Sequence, residues 1–394
     1  MEGAAQHSAV RDAVDAMRDG LLRLSHAIHA RPELAFEEHA ACALLVGALR
    51  DAGLRAEPGA YGLPTAFAAE FGERGPCVAI LAEYDALPGI GHACGHNLIA
   101  TAGVGAALAL ASLGSDLPGR VRVLGTPAEE RGCGKEWMAR HGAFEGVDAV
   151  LMIHPAGLNL VSMPCIALAE LEVAYRGQAA HAAAMPERGV NALDAIVLAY
   201  QGVAALRQHI RPTERIHGVI TEGGQAPNVV PERAAGRFFV RAADFEALAP
   251  LKARVEGCFR AGAEATGAAL ELAWGEADYR DIRMNEPLAT AFRRNAEALG
   301  REFFPYDRIP PGIQGSTDLG NVSHRVPSIH PMLAASPPQV TIHHPEFARW
   351  AASDQGDAAA LDGAKALAMT ALDWFADPAL RARAREAFEA GLPA

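Results

Sequence analysis

Five consecutive apolar residues, 78–82, run directly into a loop broken by Pro88, Gly89 and Gly91, and that loop runs into an Ala-rich segment, 98–113. A strand with one wet face alternates polar and apolar side chains. An unbroken apolar run needs cover on both faces, which is the condition of a buried parallel strand. The Ala-rich segment then reads as the following helix, with Asn97 placed to cap it. Such a unit commits the chain to an open α/β sheet, whose sites form where loops leave the carboxyl ends of strands. This loop carries Asp85, His92, Cys94 and His96. Cys and His are the side chains that a late divalent metal prefers. Taken alone, the loop fits a turn with polar surface histidines equally well.

Two later segments repeat the pattern. Residues 121–130 form an apolar run, a Thr-Pro break and the adjacent carboxylates Glu129 and Glu130. Residues 149–155 form an apolar run ending in His154 and Pro155. Three strands therefore finish in Asp85, Glu129/Glu130 and His154. Each of these residues alone fits a solvated surface group. Parallel strands gather their carboxyl ends on one edge, so together they predict a single site.

Around these strands the helical periodicity is plain. Val10, Val14, Met17, Leu21, Leu24 and Ile28 predict a helix over 8–30, ended by Arg31-Pro32. A second helix starts at Glu37 with Ala41, Leu44, Leu45 and Leu49 as its apolar face and Gly53 as its stop. A strand near 65–71 precedes the 78–82 strand. From about Ala167 the pattern changes. Residues 170–177 alternate like a half-exposed antiparallel strand, and 216–224 read as strand then turn. Residues 237–242 and 270–274 add strands, and 191–209 and 248–266 add helices. This order predicts a small inserted α+β domain over 167–275, with the larger domain made of 1–166 and 276–394. A helix over 286–299, one from Ser353 to about Phe375 and one after Pro378 complete the larger domain.

The chain has 394 residues, 50% of them hydrophobic, ample for two cores. Its net charge of −12, with no basic run, argues against nucleic acid as a partner. The first residues lack the basic start and apolar core of a signal peptide, and the apolar run 98–113 is too short to span a bilayer. Six scattered cysteines without CxxC fit neither a disulfide framework nor a zinc ribbon. A reduced, cytoplasmic setting is expected. Gly89-Ile-Gly91 is no dinucleotide fingerprint, because Cys94 stands where the third glycine belongs. Ser316 and Ser323 lack a nucleophile elbow. Cys94 as a nucleophile is weaker than Cys94 as a ligand, because its neighbours are a metal set rather than an orienting pair.

Taken in order, Asp85-Ala-Leu-Pro, His92-Ala-Cys-Gly-His-Asn, Pro127-Ala-Glu-Glu, His154-Pro, Gly177-Gln-Ala-Ala-His-Ala and Asn228-Val-Val-Pro resemble the M20 metallopeptidase family. The Cys-Gly-His form is similar to its amidohydrolase branch. Gly315-Ser-Thr-Asp and Gly320-Asn-Val-Ser resemble aminobenzoyl-glutamate hydrolases and M20 domain-containing protein 2 type dipeptidases within it. The resemblance runs over nearly the whole chain from His29. It implies an α/β catalytic domain with a mixed, mostly parallel sheet flanked by helices, two divalent ions per chain, and an inserted lid domain that dimerises. By motif it implies Cys94, His96, Glu130, His154 and His343 as ligands, Glu129 as general base and Asp85 as an orienting carboxylate. It further implies His181 and Asn228 at the scissile carbonyl, and Arg241 on a substrate carboxylate. The family spacing selects His343, with adjacent His344 and more distant His330 as alternatives. Two departures bear on substrate preference: Asn97 where the common branch has Asp, and Asp318 as the nearest acid where that branch has one beside Ser316-Thr317.

The resemblance therefore predicts hydrolysis of a small N-acyl amino acid or dipeptide by water activated between metal and Glu129, with the metal being Zn, Mn, Ni or Co. An aminopeptidase or deacylase of a larger substrate, and a non-catalytic binding descendant, are the alternatives. Retention of Glu129 weighs against the last.

Overall fold

The computed structural model describes residues 2–309 and 314–391. The chain divides into two compact units, Met1–Pro164 with Ile282–Ala394, and Cys165–Asp281. Twelve strands occur among the described residues. They are β1 (Ala56–Pro58), β2 (Phe67–Phe71), β3 (Cys77–Ala82), β4 (Arg120–Gly125), β5 (Ala149–Leu151) and β6 (His154–Ala156). The others are β7 (Ala167–Arg176), β8 (Arg215–Glu222), β9 (Arg233–Ala242), β10 (Ala269–Trp274), β11 (Ser328–Ile329) and β12 (Met332–Ala334).

The first unit is an α/β structure on a mixed sheet of order β1-β2-β4-β3-β5-β11. Its centre is parallel: β3 pairs in parallel with β4 and β5, and β5 with β11, while β1 and β2 add an antiparallel edge. The apolar run of β3 is covered on both sides. Val78, Ile80 and Ala82 enter one core cluster with the long helices, and Ala79 and Leu81 enter a second with Met138, Leu319 and Val322. The helix His96–Ala111 lies so close to β3 that a Cβ on Gly103 would stand 2.5 Å from the Leu81 carbonyl oxygen. Carboxyl ends of β3, β4, β5 and β11 thus share one edge, and the segments just beyond them carry Asp85, Glu129, His154 (the first residue of β6) and His330.

Three local readings change. The expected 8–30 helix is two, Glu2–Ala16 and Arg18–Ala30, stepping at Met17 (φ −90°, ψ 0°). The buried stripe Val10, Val14, Leu21, Leu24 and Ile28 runs on through the step, so periodicity does not register it. Leu44 is exposed in the helix His39–Asp51, and Cys42 and Val46 join Leu45 and Leu49 in the core instead. Asn97 does not cap the helix His96–Ala111. Left-handed Gly95 (φ 77°) holds that position, and the Asn97 amide donates to Ser25 Oγ and the Ala351 carbonyl.

The second unit is an antiparallel sheet of order β10-β7-β9-β8 with the helices Ala192–Leu206 and Phe245–Thr266 packed on one face. Alternation along β7 and β9 sends Leu171, Val173, Phe238 and Val240 inward, while Glu172, Arg176 and Arg237 stay out. Asn191 and Asp244 cap the two helices through their side chains. Tyr279 pairs with Leu168, and Asp281 accepts from the Phe245 N–H, so the chain stays in this unit to Asp281. Among the described residues, no helix is long and apolar enough to cross a membrane.

Candidate active site

Left-handed glycines bring the β3 loop back on itself. Gly95, between Cys94 and His96, is tight as well as left-handed: a Cβ there would meet Pro155 at 2.6 Å and Phe347 at 3.1 Å. This packing sets Cys94 against the β5–β6 turn. Cys94 Sγ lies 3.4 Å from His154 Nε2, and His154 Nδ1 bonds the Pro155 carbonyl at 2.8 Å. A carbonyl only accepts, so Nδ1 carries the proton and Nε2 faces the sulfur with its lone pair. Burial, reinforced by His96, pushes His154 down to about 3, so this imidazole is neutral.

His96 is held from behind. Its Nδ1 bonds Asp85 Oδ1 at 2.9 Å, and the other Asp85 oxygen accepts the Glu130 N–H at 2.9 Å. Burial opposes the ionised form of Asp85, yet His96 holds its carboxyl below the ordinary value. Asp85 thus aims His96 Nε2 forward, where Glu130 Oε1 stands at 3.7 Å and Glu129 Oε2 at 3.9 Å. His343 Nε2 approaches Glu130 Oε2 at 3.4 Å. Its backbone is left-handed (φ 62°) and its N–H donates to the Ala93 carbonyl, a strained placement held by the neighbouring loop. His344 faces another way and accepts the Glu346 N–H as the cap of the helix Pro345–Trp350. Of the histidines considered in sequence, His343 joins the cluster. His330 is buried with its ring 5.2 Å from that of His154, outside every ligand-type group among the described residues.

The donor atoms form overlapping groups, each within 4.8 Å: Cys94, His96 and His154; Cys94, Glu130 and His343; His96, Glu129 and Glu130. His96 Nε2 and Glu130 Oε1 are buried without a hydrogen-bond partner. Leaving such atoms bare costs about 1–3 kcal/mol each, and a cation bound between them removes that cost. Thiolate, imidazole and carboxylate together suit a late divalent ion, so the residues present fit one. Burial pushes the Cys94 thiol well above its ordinary value, with Glu130 adding to it, and a bound dication would favour the thiolate instead. Burial also raises Glu129, with Glu83 and Glu130 adding to it.

The family model for Peptidase family M20/M25/M40 matches residues 79–372. The chain belongs to the M20 peptidase family. It is 44% identical over 393 residues to the Xaa-Arg dipeptidase of Mus musculus, covering 96% of this chain and 91% of that protein. It is 30% identical to one of the p-aminobenzoyl-glutamate hydrolase polypeptides of Escherichia coli (strain K12), covering 94% and 92%. The crystal structure of the Bacillus subtilis YXEP protein, a dinuclear metal binding peptidase from the M20 family, superposes with a TM-score of 0.67 at 21% identity, covering 92% of this chain and 99% of that one. As an M20 member with these relatives, the protein is a hydrolase.

The remaining expected residues lie in the second unit of this M20 chain. His181 pairs with Val229, and the Ala182 N–H donates to the Asn228 carbonyl, so His181 and Asn228 sit on adjoining loops. His181 Nδ1 accepts the N–H groups of Ala183 and Ala184, which leaves the proton of a neutral ring on Nε2. Arg241 on β9 lies with its Nε 3.3 Å from His217 Nε2 on β8. Sequence reasoning missed three groups in the first unit. Glu38 Oε1 accepts the Ala128 N–H at 2.8 Å, and Lys135 is buried between Glu83 and Asp318. Glu83 was open to notice as the first residue beyond β3. Lys135 carries no local signal at all.

Proposed function

We propose that the protein is a metal-dependent amidohydrolase that cleaves a small dipeptide, or a comparable N-acyl amino acid, to release a free amino acid. The observation that carries this is the pair of ligand groups sharing Cys94: Cys94, His96 and His154 on one side, Cys94, Glu130 and His343 on the other. Five donor residues divided around one sulfur suit two divalent ions. A divalent cation supplies electrophilic polarisation of an amide carbonyl and acidifies water. Glu129, beside both groups, takes the proton of the attacking water and passes it to the leaving amine. Its neighbour Glu130 contributes ligand oxygens, so adjacent carboxylates divide two tasks. Asp85 keeps His96 in the tautomer that presents Nε2. His181 presents an Nε2–H donor to the oxyanion, Asn228 assists it, and Arg241 grips a substrate carboxylate through its fork of donors.

The high identity to an Xaa-Arg dipeptidase favours dipeptides as the first substrates to examine. Self-association through the second unit belongs to the same reading, supported by the edge position of β8 and the exposure of Val219 and Ile220 on it. The free state of all six cysteines supports a reducing, cytoplasmic setting. The test is metal-reconstituted enzyme offered dipeptides ending in basic, acidic or apolar residues, N-acyl amino acids and aminobenzoyl-glutamate, with released amine measured and Glu129→Gln as control. Hydrolysis of dipeptides, lost by ~10²–10⁴-fold in kcat in Glu129→Gln, is the expected result. A metal-loaded protein inert toward every amide, or an active Glu129→Gln enzyme, would overturn it.

A further inference from the structure

Beside the ligand cluster lies a second group of charges that shares Glu129 with it and adds residues the reaction outlined above does not use; one of them, Glu83, has its Oε2 3.7 Å from His96 Nε2. Carboxylate oxygens of Glu83, Glu129 and Asp318 lie within 4.8 Å of one another, and all three residues are buried. Buried carboxylates this close repel, and one answer is a cation among them. The chain provides it. Lys135 is fully buried, with its Nζ against Glu83 Oε1 and 2.6 Å from Asp318 Oδ1. Burial disfavours a charged lysine, but Asp318 and Glu83 reverse that and keep it ammonium.

Lys135 is the second residue of the helix Gly134–Arg140, which follows directly on the loop that bears Glu129. That segment is tied by three carboxylates at three backbone N–H groups: Ala128 to Glu38 at 2.8 Å, Glu130 to Asp85 at 2.9 Å, and Lys135 to Asp318 at 2.8 Å. The loop closes on itself, with the Gly134 N–H donating to the Ala128 carbonyl. A Cβ on Gly134 would stand 1.9 Å from the Pro127 oxygen, so only glycine fits there. Lys135 is therefore fixed both by its backbone and by its ammonium, against two of the three carboxylates of the group.

We propose that Lys135 is a positioning residue of the hydrolytic centre, a tethered cation that fills the Glu83–Glu129–Asp318 group and keeps Glu129 seated beside the ligands. This rests on the reading of Glu129 as the proton carrier. A tethered ammonium offers charge without an open coordination position, so the group holds Glu129 without competing for substrate or for the metal.

The test uses the metal-loaded enzyme, with kcat, KM, metal content and thermal midpoint read together. Lys135→Met is expected to lower kcat by ~10–100-fold, with KM and metal content close to the parent's. Lys135→Met combined with Glu83→Gln removes one negative charge along with the positive one, and is expected to regain most of that loss. A packing defect would not be repaired by a change of charge. If Lys135→Met alone fails to fold, the double variant decides: kcat near the parent's supports the proposal. A double variant that folds and keeps its metal but stays slow overturns it, as does Lys135→Met with the parent kcat. Glu129→Gln measured alongside separates the two readings. An active Glu129→Gln enzyme overturns the base assignment itself, whereas an inactive one beside an unimpaired Lys135→Met overturns only the role of Lys135.

Discussion

His181 illustrates how one hydrogen bond decides what a residue can do. A neutral imidazole has one donor and one acceptor, and the N–H groups of Ala183 and Ala184 occupy the acceptor side. The donor therefore points away from its own turn. In the proposed role, His181→Ala costs kcat far more than KM, by about 2.7–4 kcal/mol, as loss of an oxyanion donor does elsewhere. Arg241→Ala has the opposite signature: a raised KM confined to substrates with a free carboxylate, because a bidentate grip is lost. Steady-state kinetics on a dipeptide and its C-terminal amide checks both. Equal weakening of the two substrates would make Arg241 structural. At the same scale, two adjacent histidines part company for a backbone reason. His344 is extended and caps a helix, while His343 is left-handed and turns to Glu130.

Elements explain why the ligands meet. The loop after β3 must reverse within a few residues, deliver Cys94 toward β6, and start a helix whose first residue is His96. Gly95 allows this because its left-handed backbone and missing side chain fit against Pro155 and Phe347. Gly95→Ala should destabilise the protein by about 1–3 kcal/mol and reduce metal content together, as displaced ligands would require. Thermal melts and elemental analysis of the variant check this; a stable, fully loaded Gly95→Ala protein would show the loop to be adaptable. A second element-scale device joins three helices. Asp373 receives His7 Nε2 at 3.1 Å, the Asn295 amide at 2.7 Å and Arg294 at 2.9 Å. Burial works against its charge, but the His7 and Asn295 hydrogen bonds prevail and hold its pKa below the ordinary 3.8. The folded carboxyl is thus more acidic than the unfolded one. Its stabilisation is complete above that ordinary value and drains as pH falls below it. Asp373→Asn should lower stability by about 1–2 kcal/mol near pH 7 and by less near pH 3, read by denaturant titration at both pH values.

At the scale of the whole molecule, the two units have separate cores. The clusters around β3 draw only on the first unit, and the cluster around β7 and β9 only on the second. Every proposed metal ligand belongs to the first unit. A ligand that binds the folded state alone stabilises it by about 2.7 kcal/mol at a hundred times its dissociation constant. Removing metal should therefore lower the unfolding temperature of the first unit and leave that of the second in place. Calorimetry with and without a chelator tests this. A single transition shifting as one would show that the units unfold together.

What the sequence determined by itself was whatever depends on neighbours along the chain. Both-face burial made residues 78–82 a central strand, and alternation made 170–177 a half-exposed one. The order of Asp85, Cys94, Glu129, Glu130 and His154 at strand ends was legible because parallel strands must place those ends together. Asn97 shows the limit: its type suits a cap, but Ser25 and Ala351, distant in sequence, take its amide. Leu44 shows it again, since which side of an apolar helix faces the core depends on what packs there. In the Glu83–Lys135–Asp318 group, the two carboxylates could be noticed along the chain, but the lysine that joins them could not. A lysine next to a glutamate on paper reads as solvated charge, and only the folded chain removes the water that makes its charge matter.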